Sequence, residues 1–105
     1  MVQWITSHAD YQLFRNPDNQ FRSASFYVPV LYASGDAAIG ITISRKVGKA
    51  VQRNLLKRRI KFWLRSNYEL LPANIKLNLI ARQSAANLSY KELDTELRLL
   101  ASKLS

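Results

Sequence analysis

Residues 45–65 read RKVGKAVQRNLLKRRIKFWLR and form the most basic stretch of the chain. They hold nine of the 16 lysines and arginines and none of the seven acidic residues. The other seven basic residues are matched by the seven aspartates and glutamates, so this stretch equals the net charge of +9. Charges of one sign at this density repel one another, and a polyanionic partner relieves the repulsion.

The spacing within this stretch predicts an α-helix that begins just after Gly48. At about 100° per residue, residues four positions apart fall on one side of a helix. The resulting basic stripe consists of Arg53, Lys57, Lys61 and Arg65, with Asn54 and Arg58 beside it. No acidic residue is interleaved, whereas a merely solvated helix alternates its charges. The stripe therefore favours a phosphate-binding surface, and the amides at the helix N-terminus would add an anion site.

Apolar residues of the same helix predict a buried face opposite the stripe. They are Val51, Leu55, Leu56, Phe62 and Trp63, with Ile60 on the flank. Arg59 falls within this arc, so its charged end is expected to reach outward or to lie at the margin of the core.

The basic segment resembles the signature of the bacterial ribonuclease P protein subunit. The matching positions are Lys46, Gly48, Ala50, Val51, Arg53, Asn54, Lys57, Arg58, Lys61 and Arg65. Residues 39–45 before it, and Leu79-Ile80-Ala81-Arg82 and Leu88-Ser89 after it, also resemble that family. The chain departs from the family pattern at Leu55, where arginine is usual, and at Phe62, where glutamate is frequent.

The resemblance implies a role in tRNA maturation. In that family an RNA subunit removes the 5′ leader of precursor tRNA with Mg²⁺, and the protein performs no hydrolysis. The implied partners are the ribonuclease P RNA and precursor tRNA, with Mg²⁺ held mainly by the RNA. The RNA-facing residues implied by position are Lys46, Lys49, Arg53, Asn54, Lys57, Arg58, Lys61 and Arg65. The leader would lie in a cleft between the first helix and the sheet, against Tyr11, Phe14 and Tyr32.

Patterns along the whole chain predict the element order αββαβα. Helices are expected from Ser7 to about Arg15, after Gly48, and from Ser89 onward, the first and last opening with capping boxes. Strands are expected at 25–33, 38–46 and 75–81, the first two as a hairpin around the turn Ser34-Gly35-Asp36. Because Pro29 cannot donate to a ladder, its strand is placed at a sheet edge or near a bulge.

These elements predict an α+β two-layer sandwich with a small, mostly antiparallel sheet and a long basic helix. The fold resembles the second domain of a small-subunit ribosomal protein. One face of the 38–46 strand carries Gly40, Thr42 and Ser44, which are small and polar, so another group can approach it closely. Leucines at 93, 97, 100 and 104 form a single apolar seam on the last helix. The family resemblance alone implies a left-handed β-α-β crossover, against the usual rule.

Length and composition set the broad class. A chain of 105 residues with 48% hydrophobic and 22% charged residues is expected to fold as one domain, residues 1–105. There is no cysteine, no apolar run long enough to span a membrane, and no signal-peptide pattern in the first ten residues. We therefore expect a cytoplasmic protein. The family resemblance implies that it acts as a monomer in a 1:1 complex with its RNA.

The sequence offers little for catalysis by the protein itself. His8 is the only histidine, and no acidic residue lies between Asp36 and Glu69, so no carboxylate cluster for metal ions falls in the basic segment. The pair Gly48-Lys49 lacks the earlier glycine and the following Ser or Thr of a phosphate loop. No catalytic residue and no metal ligand are assigned to the protein.

Aromatic residues leave two interpretations open. Tyr11, Phe14, Tyr27 and Tyr32 are candidates for stacking on unpaired bases, although aromatic residues at this spacing are more often part of a core. Phe26, Phe62 and Trp63 are assigned to the core. Two alternative functions also remain: a general nucleic-acid-binding module using the same stripe, and an amphipathic membrane-surface helix that dips Phe62 and Trp63 into lipid.

Overall fold

The computed structural model describes residues 3–35 and 37–104. In chain order its strands and α-helices are β1 (Gln3–Trp4), α1 (His8–Gln12), β2 (Asn19–Arg22), β3 (Phe26–Tyr32), β4 (Ala38–Thr42), α2 (Ala50–Asn67), β5 (Ile75–Ala81) and α3 (Tyr90–Leu104). Short 3₁₀ helices lie at Leu13–Arg15, Arg45–Val47, Tyr68–Leu70 and Gln83–Asn87. The turn residue Asp36 falls outside the described residues. The predicted helices and strands all form, and β1 and β2 are additional.

The five strands form one sheet in the order β1-β4-β5-β3-β2. Two neighbouring pairs are parallel, β1 with β4 and β4 with β5. The other two, β2 with β3 and β3 with β5, are antiparallel. The α+β class with a long basic helix is thus confirmed, but the sheet is evenly mixed rather than mostly antiparallel.

The predicted hairpin of β3 and β4 is wrong, because β5 lies between these two strands. The hairpin partner of β3 is β2, with Phe21 opposite Val28. Helix α2 connects β4 to β5 and allows them to pair in parallel, since parallel neighbours need a crossover rather than a tight turn. β2 was not predicted because Phe21 is its only apolar residue and no alternation is visible.

The predicted edge position of Pro29 is also wrong, since β3 has β2 on one side and β5 on the other. The β3–β5 register is the same on both sides of this proline, with Tyr27 opposite Ile80 and Val30 opposite Leu77. Pairing with β5 is interrupted between those positions, and the unchanged register excludes an inserted residue and hence a bulge. Pro29, which has no backbone N–H to donate, lies within this interruption.

The main core lies between one face of the sheet and helices α2 and α3. Its fully buried side chains include Phe26, Val28, Val30, Ile39, Ile60, Trp63, Ile75 and Leu93. The leucine seam of α3 is confirmed, because Leu93, Leu97 and Leu100 are at most 3% exposed. Leu104, at the end of the seam, is half-buried against the same core.

A partly buried hydrogen bond joins α2 to α3. The indole Nε1–H of Trp63 donates to Asp94 Oδ1 at 2.7 Å, while Trp63 is only 1% exposed. Asp94 also accepts from Arg98 Nε at 3.0 Å. This bond satisfies the one polar atom of the largest core side chain, which otherwise carries a desolvation cost.

The opposite face of the sheet is covered in part by α1. The ring of Tyr11 lies over Gly40, so closely that a Cβ at that glycine would come within 2.6 Å of Tyr11 Cε1. The Tyr11 hydroxyl donates to Ile5 O at 3.0 Å and accepts from the Ile41 N–H at 3.3 Å. The predicted close approach to the small face of this strand is therefore made by the chain's own Tyr11.

One of the two predicted capping boxes forms. Ser7 makes no side-chain hydrogen bond at the start of α1. At α3, by contrast, Glu92 Oε1 accepts from the Ser89 N–H at 2.9 Å, and Ser89 Oγ accepts from the Glu92 N–H at 3.1 Å. These hydrogen bonds from Ser89 hold the pKa of Glu92 below its ordinary value.

Gly40→Ala is expected to reduce the free energy of unfolding by about 1–3 kcal/mol, because two hydrogen bonds hold the Tyr11 ring where the new methyl group must fit. Urea denaturation measures the change. In a Tyr11→Ala background the same substitution has room, so its cost there is expected to be much smaller. An equal cost in both backgrounds would contradict this account of Gly40.

Glu92→Gln is expected to destabilise the protein at neutral pH and to have less effect as the pH falls. Glutamine keeps an acceptor but loses the negative charge favoured at a helix N-terminus. Because the pKa of Glu92 is lowered, its contribution is fully present above the ordinary glutamate pKa of about 4.3 and disappears as the pH falls through the folded value. Denaturation of both proteins from about pH 7 down to about pH 3 tests this. A difference that stays constant over that range would refute it.

Candidate nucleic-acid interface

Helix α2 begins where the sequence predicts, with Lys49 as its N-cap residue. Lysine has no side-chain acceptor, so the cap comes from Gln52, whose Oε1 accepts from the Lys49 N–H at 3.0 Å. Gly48 makes room for this arrangement, since a Cβ there would lie 2.5 Å from Gln52 Oε1. The helix start is therefore fixed next to the first lysines of the basic segment.

The buried side of α2 differs from the predicted one. It is formed by Leu56, Ile60, Trp63 and Leu64, which are at most 5% exposed. Three residues assigned to the core are instead exposed: Val51 by 80%, Leu55 by 38% and Phe62 by 61%. The apolar residues of this helix cover more than half of its circumference, so periodicity alone does not select which of them face the core.

The predicted cationic stripe lies on the outward side of α2. Its exposed members are Asn54, Lys57, Arg58 and Arg65, and exposed Lys46 and Lys49 extend it before the helix. Arg53 and Lys61 are half-buried at its margin. Six of the eight predicted RNA-facing residues are thus exposed, and all eight lie on one helix or in the turn before it.

Arg53 has a structural bond that the sequence did not suggest. Its Nε donates to Gly48 O at 3.1 Å, on the side where the helix meets the preceding turn. The bond leaves the outer nitrogens of the guanidinium for a phosphate. Arg53 therefore contributes to the start of α2 as well as to its charge.

Trp4 of β1 covers part of the stripe. Lys61 Nζ lies 5.3 Å from the centre of the Trp4 ring, and Arg65 Cζ lies 6.0 Å from it. Both distances suit cation–π attraction, which holds these long side chains side by side without neutralising them. The first six residues gave no clear sequence signal, so this contact was not predicted.

No carboxylate among the described residues forms an ion pair with a cation of α2. Within the described residues the one ion pair joins Arg98 Nε to Asp94 Oδ1 at 3.0 Å, entirely within α3. Glu96 accepts from Ser23 Oγ at 2.6 Å, and Asp18 accepts from the Tyr32 N–H at 2.8 Å. The cations of α2 are thus left for an external anion, as the sequence predicts.

The donor groups do not suit a protein-held Mg²⁺. This ion prefers several carboxylate oxygens and waters in an octahedral set. Over residues 3–35 and 37–104, no group of three or more histidines, aspartates and glutamates is placed to hold a metal ion. Asp94, Glu92 and Glu96 are each engaged in the structural hydrogen bonds described above.

A second basic feature lies where the parallel strands β4 and β5 end. Lys46 and Arg82 line the same polar depression, together with Ser44, Gln83 and Ser84. Lys46 is among the residues predicted for the interface, whereas the sequence suggests no role for Arg82. Two strands that end together bring these cations into one place, which spacing in the sequence does not reveal.

The three residues predicted to line the leader cleft do not all lie on one accessible face of the sheet. Tyr11 lies over Gly40 on the face of the sheet opposite the main core. Phe14 is only 8% exposed, which favours the alternative that it packs inside the protein. Strand alternation places Tyr32 on the face of Val28 and Val30, away from Tyr11, although its ring is 57% exposed.

Another aromatic candidate shares the face of Tyr11. Tyr27 lies opposite Ile80 of β5, and Ile80 lies opposite Thr42 of β4. Thr42 and Gly40 are two residues apart on β4, so Tyr27 is on the same face of the sheet as Gly40 and the Tyr11 ring that covers it. Its ring is half-buried, and the guanidinium carbon of Arg22 lies 5.1 Å from the ring centre. Tyr27 thus supplies a flat ring, with a positive charge against it, on the face of the sheet that α1 partly covers.

The alternative of a membrane-surface helix requires Phe62 and Trp63 to enter lipid. Trp63 is not available for this, because it is buried and bonded to Asp94. No helix among the described residues is both long and apolar enough to cross a membrane.

The fold is that of a small, basic α+β protein with one cationic helix face, a feature typical of proteins that bind nucleic acid. The family model described as Ribonuclease P matches residues 3–105, and the chain belongs to this family. Members of the family are protein subunits of ribonuclease P, the tRNA-processing endoribonuclease, and associate with its RNA. The family resemblance and the function it implies are confirmed at this level.

Curated relatives align with this chain over most of its length. The ribonuclease P protein component of Desulforapulum autotrophicum is 31% identical over 101 residues, which cover 95% of this chain and 86% of the relative. That of Limosilactobacillus fermentum is 44% identical over 95 residues, which cover 89% of this chain and 83% of the relative.

Solved structures show the same fold. The ribonuclease P protein of Thermotoga maritima superposes with a TM-score of 0.88 at 22% identity, covering 98% of each chain. The protein of Staphylococcus aureus gives a TM-score of 0.81 at 24% identity and covers 96% of this chain and 95% of its own.

Arg53→Ala and Lys57→Ala are expected to separate structural from binding roles. Arg53→Ala removes the bond to Gly48 O and should lower the free energy of unfolding by about 1 kcal/mol, whereas exposed Lys57→Ala should change it by less than about 0.5 kcal/mol. Both should weaken RNA binding. Denaturant unfolding and RNA titration measure the two effects, and equal stability of the two variants would count against the role given to Arg53.

Proposed function

We propose that the exposed face of α2 binds the ribonuclease P RNA through its phosphates. The observation that carries this proposal is that Lys57, Arg58 and Arg65 are exposed on one helix, while no described carboxylate forms an ion pair with them. Arginine can hold a phosphate with two parallel hydrogen bonds, and lysine adds a mobile positive charge. Asn54, on the same side, offers a donor and an acceptor for a base edge or a phosphate.

Lys46 and Lys49 extend this surface beyond the start of α2. Both are exposed, and Lys46 shares its depression with Arg82. The free amides at the helix N-terminus add partial positive charge near Lys49. A single RNA backbone lying along α2 and over this turn would meet cations throughout its path.

The single-stranded leader of precursor tRNA is the substrate segment we assign to the side of the sheet that carries α1. Tyr11 and Tyr27 present rings on this face, and Arg22 lies against the Tyr27 ring. Stacking of bases on such rings is tolerant of sequence, which suits a segment that varies between tRNA precursors. Tyr32 lies on the other face and would meet the leader only beyond the end of its strand.

The protein acts by placement and charge and leaves the bond cleavage to the RNA. When bound, Mg²⁺ supplies charge stabilisation for phosphodiester hydrolysis, and the RNA subunit is its natural holder because the protein lacks a carboxylate cluster among its described residues. Cations on α2 lower the repulsion between RNA subunit and precursor tRNA, so less Mg²⁺ is needed for them to associate. We place this work in the cytoplasm, with one protein chain for each RNA.

The double variant Lys57→Ala/Arg58→Ala is expected to weaken holoenzyme assembly or substrate capture on the order of tenfold at limiting Mg²⁺. Precursor-tRNA cleavage by a reconstituted bacterial ribonuclease P RNA measures this, and excess Mg²⁺ should recover most of the loss. The control is Lys91→Ala, which removes the charge of an exposed lysine on α3. Unchanged cleavage by the double variant, or an equal loss in the control, would disprove the assignment to α2.

The same assay separates the general-binding alternative. A protein that merely coats RNA would bind the catalytic RNA but leave precursor-tRNA cleavage at limiting Mg²⁺ unimproved. Restored cleavage is expected for the wild-type chain.

A further inference from the structure

A shallow depression beside α2 exposes apolar and aromatic side chains to solvent. Its lining comprises Leu55, Phe62 and Tyr90 together with Arg58, Arg59, Lys61 and Arg65, and we call it the aromatic notch. Phe62 is 61% exposed, Leu55 38% and Tyr90 37%. Tyr90 is the first residue of α3, so the notch lies where two helices come together.

Packing within the protein does not account for the position of Phe62. The main core is complete without this side chain, since Leu56, Ile60, Trp63 and Leu64 fill the buried side of the helix. Phe62 meets Tyr90 edge to face, with ring centres 6.0 Å apart and planes at 64°. One flat face of an exposed ring in this arrangement stays open to a ligand.

The charges around the notch indicate what the ligand is. Four cationic side chains line it, and no acidic residue does. Arg59 is held in place by a bond from its Nη1 to Leu88 O at 3.4 Å, which directs its guanidinium across the depression toward α3. A ligand that fits must combine a flat apolar surface with negative charge on both sides.

We propose that the aromatic notch binds one unpaired base of the ribonuclease P RNA, stacked on Phe62, with the adjoining phosphates held by Arg58 and Arg65. This inference rests on the proposed function and adds a base contact to its phosphate contacts. An unstacked nucleotide is the RNA element that offers a flat π-face and flanking phosphates together. The notch is continuous with the stripe of α2, so both contacts belong to one RNA surface.

Substitutions at Phe62 distinguish stacking from general apolar contact. Phe62→Ala should weaken binding to a bacterial ribonuclease P RNA by at least about fivefold, the low end of the effect of losing one stacked base. Phe62→Trp should retain full affinity, while Phe62→Leu, which is apolar but has no ring, should behave like alanine. Affinity within twofold of wild type for Phe62→Ala, or full affinity for Phe62→Leu, would overturn the proposal.

Salt dependence separates the ring from the charges. Phe62→Ala removes no charge and should leave the slope of log affinity against log salt unchanged, whereas Arg58→Ala should reduce that slope by about 1. A reduced slope for Phe62→Ala would show that the ring acts by positioning cations, and stacking would be rejected. Thermal unfolding of each variant checks that the fold is kept, as expected for an exposed side chain.

A second arm makes failure of the notch distinguishable from failure of the proposed function. Single-stranded RNA containing 2-aminopurine loses fluorescence when that base stacks, and wild-type protein should quench it more than Phe62→Ala does. If wild type fails to restore precursor-tRNA cleavage but this difference persists, the proposed function is wrong and the notch stands. If the difference is absent, the notch proposal is wrong whatever the cleavage result.

Sedimentation tests whether a second copy of the chain occupies the notch instead. A concentration-dependent dimer that Phe62→Ala abolishes would show this, and would also overturn the proposal.

Discussion

The orientation of α2 depends on the burial of one narrow side of that helix. Ile60 and Trp63 are at most 1% exposed, and the Trp63 indole donates to Asp94 at the contact with α3. Any rotation about the helix axis would expose these side chains and break the hydrogen bond to Asp94, which costs several kcal/mol in total. The cations opposite them therefore face outward because the core leaves no other arrangement, even though their mutual repulsion opposes the folded state.

This constraint explains why the functional surface needs a partner. Among residues 3–35 and 37–104, no carboxylate pairs with a cation of α2 to relieve this repulsion. Trp4 only spaces Lys61 and Arg65 without cancelling their charge. Binding of a polyanion to the folded state alone stabilises that state by mass action. The same charges thus cost stability in the free protein and contribute affinity in the complex.

Sequence patterns predicted the elements whose signal is local. The start of α2, the strand Ile75–Ala81 and the capping box at Ser89 depend on neighbouring residues, and all three form. Strand partners depend on contacts that are distant in sequence, so the order of the sheet and the internal place of Pro29 were missed. The cationic side of α2 was predicted because repeated charge marks it, but its buried side was not. Val51, Leu55 and Phe62 are as apolar as the residues that face the core, and only the sheet and α3 determine which are covered.

The central claim is that α2 meets RNA with the side opposite Trp63. Lysine acylation followed by mass spectrometry, with and without a bacterial ribonuclease P RNA, tests it most directly, because the chain carries exposed lysines on different elements. We expect RNA to protect Lys46, Lys49 and Lys57, while Lys91 and Lys103 on α3 stay as reactive as in the free protein. Protection of the two α3 lysines with continued reactivity of Lys57 would place the RNA on another surface and contradict the account.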